Sequence, residues 1–451
     1  MLDRALFPRF PVSLMRNIPS RSSLFTFAAF LAAGCGSSES LTDPDPNIPD
    51  DPNPPPPAAL PLRTDLGTLG GESSYAFDVN DGGVVVGIAQ NSAGTFQAFR
   101  WTLNDGLQAL AALDGDAGSR AIAITNDNTV LGVSISEAGT TRPVTWSASG
   151  AVTELPISPI AGAGLAPNDR NTQGTVVGDA TFTGDPAAFV HAWVWSAASG
   201  LTDLSSQLEV PYENYAAAIN GSGDVVGMVS GGLRRAYLWR PQEGARSLGI
   251  PGTAPGRTET AAQGVSGDGR VVGWTRLLAG DDDAGPVAPF PSLGSYAYVW
   301  SDASGFTLLP GFGGESESDA VGDDVNDRGD VVGSATPPGG SAINAVAWPR
   351  SGAIVRLNGS DVNSSVALAV NNAGIAVGWT STAEGGTTNR ATVWNIERAT
   401  PVTARITARI SPRARSRVAE LPARGAARCL QLRTKIVSKA RLAECIEGGG
   451  R

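Results

Sequence analysis

A short Val-Val-Gly unit, or a close variant, recurs seven times along this chain, ending at Gly87, Gly132, Gly178, Gly227, Gly273, Gly333 and Gly378. A tryptophan follows each one, at Trp101, Trp146, Trp195, Trp239, Trp300, Trp348 and Trp394. Successive glycines are 45, 46, 49, 46, 60 and 45 residues apart. A supersecondary unit repeated at such a period cannot bury its apolar side alone and must stack against its neighbours. With 41% hydrophobic residues the chain has the material for a core built that way, which excludes wholesale disorder.

Seven residues before each glycine stands Asn80, Thr125, Asn171, Asn220, Ser266, Asn326 or Asn371, and four before it Gly83, Asn128, Gly174, Gly223, Gly269, Gly329 or Gly374. A glycine or asparagine between two β-rich runs supplies the positive φ that a tight hairpin needs. Each repeat then reads as four strands. In the first repeat these are Tyr75–Val79, Val84–Ile88, Phe96–Trp101 and Leu107–Leu110, the last led by Gly106. Four strands per period of this length predict a β-propeller blade. The expectation is an all-β, seven-bladed β-propeller over residues 62–397. Trp394 is not followed by a glycine-led fourth strand, whereas Leu62–Leu69 precedes the first repeat without a partner. Strand 62–69 is therefore expected beside 391–394, closing the ring and removing two open edges.

The string Asp65-Leu66-Gly67-Thr68-Leu69-Gly70-Gly71, then Asn80, Val85-Val86-Gly87 and Gln97-Ala98-Phe99-Arg100-Trp101, resembles the HAF repeat of bacterial extracellular proteins. His191-Ala192-Trp193-Val194-Trp195 keeps the histidine of that name. The resemblance covers residues 62–395 and implies an extracellular propeller-like domain. It brings no established activity.

The N-terminus reads as an export signal over residues 1–34, with Arg4, Arg9, Arg16 and Arg21 before the apolar run Leu24 to Ala33. Met15 is an alternative start to Met1. Leu31-Ala32-Ala33-Gly34-Cys35 resembles a bacterial lipobox, which implies that Cys35 is lipidated and that the chain is exported and anchored to a bacterial membrane. Gly36 after the cysteine favours the outer membrane or cell surface. Residues 35–61 form a proline-rich linker, a semi-extended spacer. Its Asp43, Asp45, Asn47 and Asp50 are broken by prolines and lack the turn glycine of a calcium loop.

The formal charge of −10 excludes nucleic acid as the main partner. One histidine excludes His-rich metal cages, and no nucleophile motif or phosphate loop is present. The seven repeat tryptophans are expected to pack between blades, while the less regular Trp274 and Trp379 could also face a ligand. Function is expected on the face where long connections emerge. That face carries Glu315, Glu317 and Asp319, together with an insertion in the fifth repeat, where glycine to tryptophan spans 27 residues against 12 to 17 elsewhere. The insertion contains Arg276, Asp281, Asp282 and Asp283. These seven residues are the candidate ligand or cation site. No cofactor is expected, calcium being the one metal these acids could take.

Residues 398–451 form a basic tail, with 13 Lys plus Arg against 3 Asp plus Glu. Its Cys429 and Cys445 could pair in an oxidising compartment. The functional expectation is a monomeric binding or interaction module for an extracellular protein or glycan. A carboxylate-dependent glycosidase or polysaccharide lyase on the long-loop face and a purely structural surface protein are the alternatives.

Overall fold

The computed structural model describes residues 61–399 except 158–160, 183–188, 209–211, 252–257, 279–291, 313–318, 338–339, 341, 351, 360 and 382–387. The export signal, Cys35, the linker before Pro61, the basic tail beyond Ala399 with Cys429 and Cys445, and Asp281, Asp282, Asp283, Glu315 and Glu317 lie outside the described residues.

Each repeat folds as an antiparallel meander. In the first, Gly70–Val79, Val85–Asn91, Phe96–Thr102 and Gly106–Leu110 pair in chain order. The reversal between its first two strands uses Gly83 at φ 75°, and the second repeat achieves it with Asn128 at φ 64°, asparagine being among the side chains best suited to that region. The fold is an all-β propeller, but its blades are not seven alike. Five repeats or closing units form separate four-stranded blades, whereas the fifth and sixth repeats share one eight-stranded sheet. The expectation of a seven-bladed β-propeller with four strands per blade is thereby overturned: five separate four-stranded blades stand with one eight-stranded sheet.

The reason lies in how neighbouring sheets are stitched. A hydroxyl or amide oxygen on the first strand of one repeat accepts the N–H of an alanine on the third strand of the repeat before. Ala98 donates to Ser119 Oγ at 3.1 Å, Ala192 to Asn214 Oδ1 at 2.8 Å, Ala236 to Thr260 Oγ1 at 3.0 Å, Ala345 to Ser365 Oγ at 2.8 Å and Ala391 to Ser74 Oγ at 2.9 Å. The second-to-third junction has Pro143, which carries no N–H. At the fifth-to-sixth junction the acceptor's place is taken by Ala320. There the contact shifts: Ser295 N–H donates to Asp319 Oδ1 at 3.1 Å, and Ser295 and Asp319 align as a parallel pair. A side-chain stitch has become strand pairing, so the two sheets run on as one.

A second belt links the tight turns. The side-chain amide of Asn80 donates to the Thr125 carbonyl, Asn171 to Asn220, Asn220 to Ser266, Asn326 to Asn371 and Asn371 back to Asn80, over 2.8–3.2 Å. Where the repeat offers Thr125 or Ser266, other groups substitute: Arg170 donates to Thr125 Oγ1 and the Gly267 N–H to Asp327 Oδ1. Asn371 also accepts from the Ala373 and Ile375 amides. Asn371→Ala is therefore expected to cost about 1–3 kcal/mol, seen as a lower urea midpoint; an unchanged midpoint would mean the belt contributes nothing to stability.

The ends of the described chain meet. Arg63–Asp65, a shorter strand than 62–69, pairs antiparallel with Arg390–Asn395, placing Arg63 opposite Trp394. Leu69 instead bridges to Asn91. Between sheets, side chains form wedge-shaped cores, as where Val86, Ala98 and Leu110 meet Ala121, Val130, Val144 and Trp146. Six of the seven repeat tryptophans are buried there. Trp146 and Trp348 donate their indole N–H to the Ala111 and Pro310 carbonyls, each at 2.7 Å, which satisfies the polar edge of a large apolar group.

Candidate ligand-binding site

The second strand of the fifth repeat, Val271–Leu278, leads into the long insertion, and Ser292–Ser301 leads out of it. Three side chains on or beside these strands are drawn together from separate repeats. Arg276 Nε lies 3.4 Å from Ser295 Oγ, and the main-chain N–H of the same serine donates to Asp319. Arg276 and Asp319, both expected from the sequence to contribute, thus converge on Ser295, a residue that expectation omitted. The parallel register that fuses the two sheets is what brings Asp319 there.

Beneath them lies Trp274, only 2% exposed, with the Arg276 guanidinium 5.2 Å and that of Arg234 6.0 Å from its ring centre. Two cations on one indole are favourable through the ring quadrupole. Glu259 stands opposite Arg276 in the strand register, yet its carboxylate reaches back to the fourth repeat, 3.8 Å from Arg234 Nη1 and 3.4 Å from the Arg234 amide. The indole is too buried to act as a stacking surface for a ligand. Its effect is to fix the plane of Arg276. Trp379 packs edge-on against Tyr75 at 6.4 Å.

Two other acids on the long-loop face, Asp116 and Glu213, are held locally. Asp116 accepts from the Ser134 hydroxyl at 2.5 Å and pairs with Arg142 at 2.8 Å. Burial opposes ionisation there, but those two donors keep its carboxyl below the usual aspartate range. Glu213 accepts from the Tyr215 hydroxyl at 2.9 Å. The single histidine, His191, is half-buried with Nδ1 3.1 Å from Asp203 Oδ2, a local contact between neighbouring strands of one blade. Among the described residues no group of three or more His, Cys, Asp or Glu is arranged to hold a metal ion.

One set of carboxylates was missed. Asp78, Asp169 and Asp324 each stand two residues before the turn asparagine, at a bulge in the first strand of repeats one, three and six. Each uses one oxygen for the amide of the next residue, Val79, Arg170 or Val325, and the other for an amide of the following repeat, Ile124, Ile219 or Val370, all at 2.7–2.9 Å. Burial pushes Asp78 well above the ordinary aspartate range, with repulsion from Asp169 and Asp324 adding to it. Burial, with Asp169 and Asp327 adding, pushes Asp324 up to about 7. The signal was present as Asp-x-Asn in those three repeats, against Ala123, Ala218, Gly264 and Ala369 in the others.

No protein-family model matches the chain, and no curated protein does. Among solved structures it is similar to puromycin hydrolase, at 14% identity and a TM-score of 0.49, covering 74% of this chain and 54% of that one. It is also similar to the Pyrococcus horikoshii acylaminoacyl peptidase, at 12% identity and 0.45, covering 75% and 53%. A third likeness is to TolB from Acinetobacter baumannii, at 13% identity and 0.37, covering 61% of each chain. The chain spans about half the length of the two hydrolases.

Proposed function

We propose that this protein is an exported, lipid-anchored propeller that works as an extracellular binding module, engaging a glycan or protein on its long-loop face. The observation that supports this reading is the convergence of Arg276 and Asp319 on Ser295. Side chains from two repeats meet at the foot of the longest connection, on a scaffold of paired strands. Rigid frameworks that present polar groups from loops and strand ends are where recognition usually resides. The resemblance to HAF-repeat proteins and the lipobox-like Leu31–Cys35 support the extracellular address.

The glycosidase or lyase alternative requires carboxyl groups free to exchange protons with a substrate. Asp324, near 7, is in a range suited to a general acid. Both of its oxygens are nevertheless engaged by main-chain amides, as are those of Asp78, so these acids serve the frame better than they could serve chemistry. The binding reading is tested by probing arrays of glycans and extracellular proteins with the mature chain. Saturable binding that weakens in the Arg276→Ala/Asp319→Ala double variant is expected; binding indifferent to that change would place the site elsewhere.

The address has its own test. Cys35→Ser is expected to shift the chain from the detergent to the aqueous phase in a phase-partition experiment, because the acyl chains that anchor it can no longer be attached. Equal partition of the variant and the parent would refute the anchor.

A further inference from the structure

We propose that Arg276 is an oxyanion-binding residue, so that the ligand of the long-loop face presents a carboxylate or phosphate group there. This deepens the binding reading above and rests on it. The Arg276 guanidinium lies over the Trp274 ring and turns its Nε toward Ser295 Oγ. Those two contacts fix its plane and direction while using only one of its five N–H groups. The paired Nη groups meet no acceptor among the described residues.

Among the described residues, the acids nearest this charge are engaged elsewhere. Glu259, its partner across the strand register, is turned to Arg234. Asp319 accepts the Ser295 amide. Several other arginines do find acids: Arg240 and Arg246 share Asp302, Arg328 bridges Asp330 and Glu397, and Arg142 joins Asp116 to Glu154. Arg276 is a half-buried cation held in place by neutral groups. A guanidinium stacked and oriented in advance offers a planar two-pronged edge that matches an oxyanion bidentately and loses little freedom on binding. A divalent cation is disfavoured at the same place, because the guanidinium would repel it.

The shared chemistry is an oxyanion, whose source would be a uronate sugar or a phosphate. The test titrates the mature full-length chain with glucuronate, inorganic phosphate and calcium chloride separately, following heat of binding and melting temperature. Saturable binding of glucuronate or phosphate is expected, at least tenfold weaker in Arg276→Ala. In Arg276→Lys, which keeps the charge and loses the fork, binding should be several-fold weaker. Preference for glucuronate would identify an acidic glycan as the source, and preference for phosphate a phosphorylated ligand. Binding of calcium alone, no saturable binding of either oxyanion, or equal binding in Arg276→Ala would overturn the assignment. A glycan or protein from the arrays bound equally by the parent and Arg276→Ala would leave the binding module standing and remove only the oxyanion.

Discussion

Gly227→Ala is expected to lower stability by roughly 3 kcal/mol or more, a large share of the margin that keeps a folded domain folded. In every repeat the first strand carries a bulge, placed in the fourth between Ala216 and Ala218. The bulge thrusts the carbonyl of the residue at the place of Tyr215 against the glycine of the Val-Val-Gly unit. A Cβ on Gly227 would overlap the Tyr215 carbonyl oxygen and also crowd the Tyr237 ring. Neither obstacle is the free end of a flexible side chain, so the sheet must shift. Gly221, in the adjoining turn, has open space where its Cβ would go and no positive φ, and Gly221→Ala should stay within about 0.5 kcal/mol of the parent. Urea midpoints for the two variants provide the check. If Gly227→Ala were as stable as Gly221→Ala, the close approach would not be what reserves that position for glycine.

Lowering the pH from about 8 to about 5 is expected to stabilise the fold, because the half-buried, desolvated Asp78 and Asp324 hold protons that the unfolded chain has released. Asp324, at about 7 when folded, returns to an ordinary aspartate value near 3.9 on unfolding. Between those values the native state binds the extra proton, so this contribution falls as pH rises and is constant above about 7. Asp78 acts in the same sense. The aspartates held low by their partners, among them Asp302 beside Arg240 and Arg246 and Asp361 beside Arg63, act oppositely. Their contribution is lost only at still lower pH. Melting temperature against pH should therefore slope upward toward acid across this window, and Asp324→Asn should flatten it. Asparagine also loses one of the two amide contacts, so the slope and not the absolute melting temperature is the readout. Parallel slopes in the parent and variant would eliminate the effect.

The repeat made most of the frame legible. Period, turn residues and strand count follow from Val-Val-Gly, Asn80 and Gly83 with their counterparts, because hairpin geometry and blade packing accept few residues at those places. What period alone cannot reveal is how two neighbours join. The fusion of the fifth and sixth repeats depends on one residue, Ala320, standing where the other repeats except the third have a polar acceptor, and on Asp319 just before it. A pattern search that rewards likeness passes over such a local exception. Arg276 and Asp319 were found because long loops attract attention. Ser295 was not, since a serine in a strand carries no distinguishing chemistry until its neighbours are in place. The Asp-x-Asn triplets were passed over for the opposite reason: an acid near a turn reads as solvated surface, and only the curvature of the ring turns it inward.

The pairing of Arg63–Asp65 with the last repeat also makes a claim about time. The Ser74–Ala391 contact spans 317 residues, so a segment synthesised among the first must wait for the last strand before its sheet is complete. Contacts of such separation slow folding, since the entropy of closing the loop is lost before the contacts compensate it. Until then the growing chain has two open edges, one at each end of an incomplete circle. A ribosome stalled in the seventh repeat would hold not a smaller propeller but a sticky arc, and Arg390–Asn395 acts as the clasp that converts that arc into a finished surface.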